Sequence, residues 1–94
     1  MSAYEVVEFV EPAFHEGGAF VGTRERLLGV FDVESEAIEA GRTAWTAFRQ
    51  SGSSDVAWWI VRVPDEPLAR WIADASSPVE RVLDLRTNEL IDIR

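Results

Sequence analysis

The chain has 94 residues, 47% of them hydrophobic and 28% charged, and 17 acidic side chains against 9 basic ones give a formal net charge of −8. That length makes a single α+β domain, residues 1–94, whose core needs neither metal nor disulfide, because a chain of this size buries roughly 60–70% of the surface its unfolded form exposes. The absence of cysteine excludes disulfides, thiolate nucleophiles, iron–sulfur clusters and sulfur-ligated zinc, and the absence of lysine excludes Schiff-base chemistry and a P-loop lysine.

An acidic surface repels phosphate backbones, and the arginines are dispersed from Arg24 to Arg94, so nucleic acid is not an expected partner. The start, "MSAYEVVEFVEPAF", lacks the basic residues and apolar run of a secretory signal, and no segment approaches the ~18 apolar residues of a membrane span. A cytoplasmic protein without membrane contact is expected.

"YEVVEFV" (4–10) sets Tyr4, Val6 and Glu8 on one side and Glu5, Val7 and Phe9 on the other, a period of two rich in β-branched and aromatic residues that predicts a strand. Residues 11–23 contain Pro12, Gly17–Gly18 and Gly22 and read as a loop. "RERLLGVF" (24–31) alternates Arg24, Arg26, Leu28 and Val30 against Glu25, Leu27, Gly29 and Phe31, a second strand expected to pair antiparallel with the first.

A long helix is predicted over 34–50. Ala37, Ile38, Gly41, Ala44, Trp45 and Phe48 form one apolar stripe, Asp32 or Ser35 can cap the start, Glu34 and Glu36 suit the positive end of the dipole, Arg49 suits the other end, and Gly52 offers the stop. Gly41 in mid-stripe costs ~1 kcal/mol relative to alanine, so it is expected to permit a close approach.

"VAWWIVRV" (56–63) is apolar on both faces and reads as a central strand ended by Pro64. Leu68, Trp71, Ile72 and Ala75 then fall at helical spacing after Asp65 and Pro67, predicting a short helix near 66–75. Residues 79–93 close the chain as a hairpin turning at Thr87–Asn88. The expected architecture is a mainly antiparallel sheet of four or five strands with one long and one short helix, in the order β-β-α-β-α-β-β, with a ferredoxin-like arrangement as the competitor.

Little in the sequence carries chemistry. His15, the single histidine, stands beside Glu16 in a glycine-rich loop, where a general base or half a metal site is conceivable but a solvated loop residue is the plainer reading. "GGAFVG" lacks the spacing and the following helix of a dinucleotide fingerprint. Glu34 with Glu36 and Asp65 with Glu66 sit where helix N-termini favour negative charge, Asp84 and Asp92 read as a solvated strand face, and no serine stands in a nucleophile elbow. No catalytic residue, metal ligand or cofactor is assigned.

"AWWIVRVPDEPLARWI" (57–72) holds three of the four tryptophans. In strand register Trp59, Val61 and Val63 share one face, and Trp59 is expected to meet Trp45 and Phe48 in the core. Trp58, Ile60 and Arg62 share the other face, which lies exposed unless the short helix, a loop or another subunit covers it. Large aromatics with arginine make interface hot spots, and a guanidinium over an indole adds ~0.5–2 kcal/mol. Core, interface and ligand pocket all remain open for Trp58.

The run from "GVFDVESEAIEAGRTAW" to "VLDLRTNELIDIR", with its lysine-free, arginine- and tryptophan-rich composition, resembles small conserved hypothetical proteins of actinobacteria, a family without an assigned activity. The resemblance implies a fold and a compartment and supplies no catalytic residue. The expected function is a non-enzymatic interaction module, self-associating through Trp58, Ile60 and Arg62. The alternative is a small-ligand binder or weak enzyme with a pocket between the 11–23 loop and the sheet, using His15, Glu16 and Arg62. Mimicry of nucleic acid by the acidic surface finds no continuous acidic stripe to support it.

Overall fold

In the computed structural model, which describes residues 3–11 and 22–93, the elements are β1 (Tyr4–Glu11), β2 (Arg24–Phe31), α1 (Glu34–Gln50), β3 (Val56–Arg62), β4 (Trp71–Asp74), β5 (Glu80–Asp84) and β6 (Glu89–Ile93). They build one antiparallel six-stranded sheet in the order β2-β1-β3-β4-β5-β6. The helix carries the chain from edge strand β2 over β1 to β3. Both of those strands are antiparallel to β1, so they run parallel to each other, and a crossover helix is what such a pair requires.

The expected count of strands and helices is therefore corrected. Among the described residues there are six strands and one helix, in the order β-β-α-β-β-β-β, and no helix forms at 66–75. Residues 64–70 turn instead, with the Glu66 N–H on the Val63 carbonyl (2.9 Å) and the Glu66 carboxylate gripped by Arg70 through two 2.7 Å bonds. The Arg70 N–H then reaches the Val61 carbonyl (2.7 Å) and starts the β3–β4 ladder. Two prolines within four residues leave too short a run for a helix to hold itself, and pairing beside a central strand satisfies the backbone instead.

On α1, Glu34 and Glu36 occupy the first turn and Arg49 the last, but the N-cap is Val33 and no side chain caps it, so neither Asp32 nor Ser35 plays that part. At the far end the Ser51 N–H bonds to the Ala47 and Phe48 carbonyls, and Gly52 follows at φ 74°, the left-handed conformation that glycine adopts without penalty.

The core lies between α1 and the sheet face made by Val6, Ala57, Trp59, Val61, Trp71 and Ala73. Phe48 meets Trp59 edge-on (5.3 Å between centroids) as expected, whereas Trp45 meets Trp71 (6.3 Å). Gly41 is what lets the Trp71 ring lie on the helix backbone: a Cβ there would stand 2.6 Å from Trp71 Cζ3. Each core indole N–H finds an acceptor, since Trp45 donates to the Asp74 carbonyl (2.6 Å), Trp59 to Glu8 (3.0 Å) and Trp71 to Glu80 (3.0 Å).

The alternation expected along β2 is broken. The register with β1 shifts between Val6 and Val7, pairing Val6 with Gly29 and Val7 with Leu27. Leu28 is the extra residue of this bulge, and it packs against the core together with Phe31 while Leu27 and Val30 stay exposed.

Candidate functional site: the second face of the sheet

Antiparallel neighbours in register share a face, so the ladder lays out the side of the sheet away from α1 directly. Across β1 and β3, Phe9 stands opposite Trp58, Val7 opposite Ile60 and Glu5 opposite Arg62, and across β3 and β4, Ile60 stands opposite Ile72 and Trp58 opposite Asp74. Val7 is buried, while Phe9, Trp58, Ile60 and Ile72 are half-buried. The helix packs on β1, β2, β3 and β4 from the other side, and among the described residues no second helix lies on this face.

Trp58, Ile60 and Arg62 do share one face, as β3 periodicity requires, but their interactions differ from the expected ones. The partner of the Trp58 indole is Phe9, stacked at 5.3 Å with an interplanar angle of 11°. Arg62 turns away to Glu5 (Nε to Oε1, 2.9 Å) and Glu25 (3.3 Å), bridging three strands. The hydrogen bond to Glu5, the largest influence, raises the pKa of the guanidinium, so Arg62 stays charged and committed within the chain. Among the described residues the cation over an indole is Arg49 above Trp45 (5.8 Å).

Ion pairs of this kind bound the apolar strip. Arg62 with its two glutamates closes one end of β3, and on the far strands Arg81 pairs with Asp92 (3.0 Å) on the same face. Asp84, which the sequence sets beside Asp92, instead lies on the opposite face and accepts the Arg86 N–H (2.9 Å) in the closing turn. At the β3 start a cavity of about 670 Å³ opens beside Trp58, floored by Val56, Trp58 and Ile72 and rimmed by Asp74, Ser53 and Ser76.

His15 and Glu16, the other two residues of the ligand-site reading, lie outside the described residues; of that set Arg62 alone is placed. No group of three or more histidine, aspartate or glutamate side chains among the described residues is arranged to hold a metal. No helix among them is long and apolar enough to cross a membrane.

Two carboxylates on the helix side went unassigned in the sequence. Glu80 receives Arg42 through both oxygens (Nε to Oε1 2.9 Å, Nε to Oε2 3.0 Å, and Nη2 to Oε1 2.5 Å) as well as the Trp71 indole, and the Arg42 hydrogen bonds hold its pKa below the usual carboxylate range. Glu8 takes the Trp59 indole and Arg26 (3.0 Å). The period of two already placed Glu8 on one side with Tyr4 and Val6, which was the available sign that a glutamate faces the core; nothing comparable marked Glu80. Phe9, Val7 and Ile72 belong to the site and could be found only through strand register, which the sequence alone does not specify.

No family model matches this chain, and no curated protein or solved structure matches it significantly.

Proposed function

We propose that this chain is a non-enzymatic self-association module, acting in the cytoplasm, that meets a second copy of itself through the sheet face bearing Trp58, Ile60 and Arg62. One observation carries the reading: a strip of half-buried Phe9, Trp58, Ile60 and Ile72, with Val7 buried among them, runs across three central strands on the side that α1 leaves alone. Contiguous apolar strips of this kind on small domains mark association surfaces. Charge supports it as well. The chain carries −8 overall, yet the arginines on this face are matched to carboxylates of the same face, so two copies can approach without burying an unpaired cation. Two such sheets pack face to face at about 10 Å with an isologous, two-fold contact.

Sedimentation equilibrium on the wild type, Trp58→Ala and Arg62→Glu tests this. The wild type is expected above the single-chain mass, with both variants lighter and their far-UV circular dichroism unchanged. A wild type at the single-chain mass at every concentration, or a mass indifferent to both substitutions, contradicts it.

A second reading follows from the cavity beside Trp58: a small-ligand site at the β3 start, with an aromatic floor and the Asp74 carboxylate on its rim. A thermal-shift screen against small metabolites checks it, with any hit expected to vanish on Trp58→Ala; a screen without hits removes it.

A further inference from the structure

The two edges of the sheet are built differently. Edge strand β2 begins with three consecutive charged residues, Arg24, Glu25 and Arg26, and carries the bulge at Leu28, and both devices stop a second strand from zipping onto it. Edge strand β6, "ELIDI", has neither proline nor bulge: all five residues, Glu89 to Ile93, pair with β5 in unbroken register, and Leu90 and Ile91 are exposed. It turns a regular row of backbone N–H and C=O groups outward with apolar side chains on both faces.

We infer that β6 is a pairing edge for a second copy of this chain, joined β6 to β6 antiparallel about a two-fold axis perpendicular to the sheet. Register and full overlap of the five residues favour one arrangement. Such an axis requires residues of like face to oppose each other, and centring it on Ile91 sets Ile91 against its own symmetry mate, Glu89 against Ile93 and Leu90 against Asp92. No two like charges then stand opposite. The two Glu89 carboxylates are four residues apart along the strands, about 13 Å at ~3.3 Å per residue, beyond the ~10 Å screening length at 0.1 M salt. The Asp92 side chains come nearer, but each is already bound by Arg81 of its own chain at 3.0 Å.

This edge is independent of the sheet-face contact proposed above, and the two combine. One two-fold lies parallel to the sheet and the other perpendicular to it, and where the axes cross, the two contacts close into a four-chain assembly with three mutually perpendicular two-folds.

Sedimentation equilibrium of four proteins tests the edge separately from the face: wild type, Trp58→Ala, Ile91→Lys and the double variant. Ile91→Lys keeps the β5–β6 hairpin while setting two ammonium groups against each other on the axis. The wild type is expected above the mass of two chains, and at four where the two axes cross, with two chains for each single variant and one for the double variant. Hydrogen exchange gives the second readout: β6 amides are expected to be protected in Trp58→Ala and to exchange at least tenfold faster once Ile91→Lys is added. If Ile91→Lys leaves both the mass and the β6 exchange unchanged, the edge inference is overturned while the face reading stands. If Trp58→Ala alone fails to lower the mass, the face reading falls and the edge remains.

Discussion

Trp58 and Trp59 are neighbours in the chain with opposite surroundings. Trp59 points under α1, is fully buried, meets Phe48 edge-on and donates its indole N–H to Glu8. Trp58 points to the other side, half-buried against Phe9, with a cavity at its flank. Hydrophobicity does not distinguish them; the position of one helix does. A strand apolar on both faces, with α1 on one of them, leaves the other face without a helix over it among the described residues.

Substitution separates the two faces most sharply at this pair. Trp59→Ala removes a filled core position and is expected to cost about 3–5 kcal/mol, read as the urea midpoint at dilution. Trp58→Ala under the same conditions is expected to cost about 1 kcal/mol, chiefly its stacking on Phe9. Equal losses would mean that the second face is as filled as the first.

The next largest effect sharpens the helix side. Glu80→Gln keeps an acceptor for the Trp71 indole but breaks the two-oxygen grip on Arg42 that ties α1 to β5, and a loss of about 1.5–3 kcal/mol is expected. Its pH dependence has a definite sign. The Glu80 pKa is depressed in the folded chain, so its stabilisation is present above the ordinary carboxylate range and is lost as pH falls through the lower folded value. Acid unfolding of Glu80→Gln is therefore expected to show a flatter limb than the wild type, followed by circular dichroism from neutral to acid pH.

Gly41→Ala probes the closest helix–sheet approach. Alanine gains about 1 kcal/mol in helix propensity, but its Cβ would lie 2.6 Å from Trp71 Cζ3, and overpacking costs typically 1–3 kcal/mol. A net loss of about 1 kcal/mol in thermal unfolding is expected, and a gain would show that the Trp71 ring shifts freely. Smallest of all, Leu85→Ser in the exposed β5–β6 turn should change stability by less than about 0.5 kcal/mol.

Much of the covered half was legible from residue order. The α1 stripe, the inward pair Trp59 and Val61, the close approach at Gly41 and the closing hairpin all follow from periodicity and turn chemistry, whereas Val63, expected on the same face, lies past the end of β3. β4 did not, because Trp71 fits both readings: with Leu68, Ile72 and Ala75 it makes a helical stripe, and with Ala73 it makes the inward side of a four-residue strand. Short apolar runs leave that choice to tertiary pairing. The site was half legible for a similar reason. Period fixes that Trp58, Ile60 and Arg62 share a face, but only register brings Phe9 to Trp58 and Glu5 to Arg62, and only register together with the β2 bulge brings Glu25 there.

The most direct test of the claim that this second face is an association surface is the exposure of Trp58 itself, since the other three tryptophans are buried within the chain. Acrylamide quenching of tryptophan emission, measured from nanomolar to high micromolar chain concentration, isolates it. Quenching is expected to fall as concentration rises in the wild type, and to stay constant in Trp58→Ala. Wild-type quenching that is independent of concentration, whatever the sedimentation mass, would contradict the account.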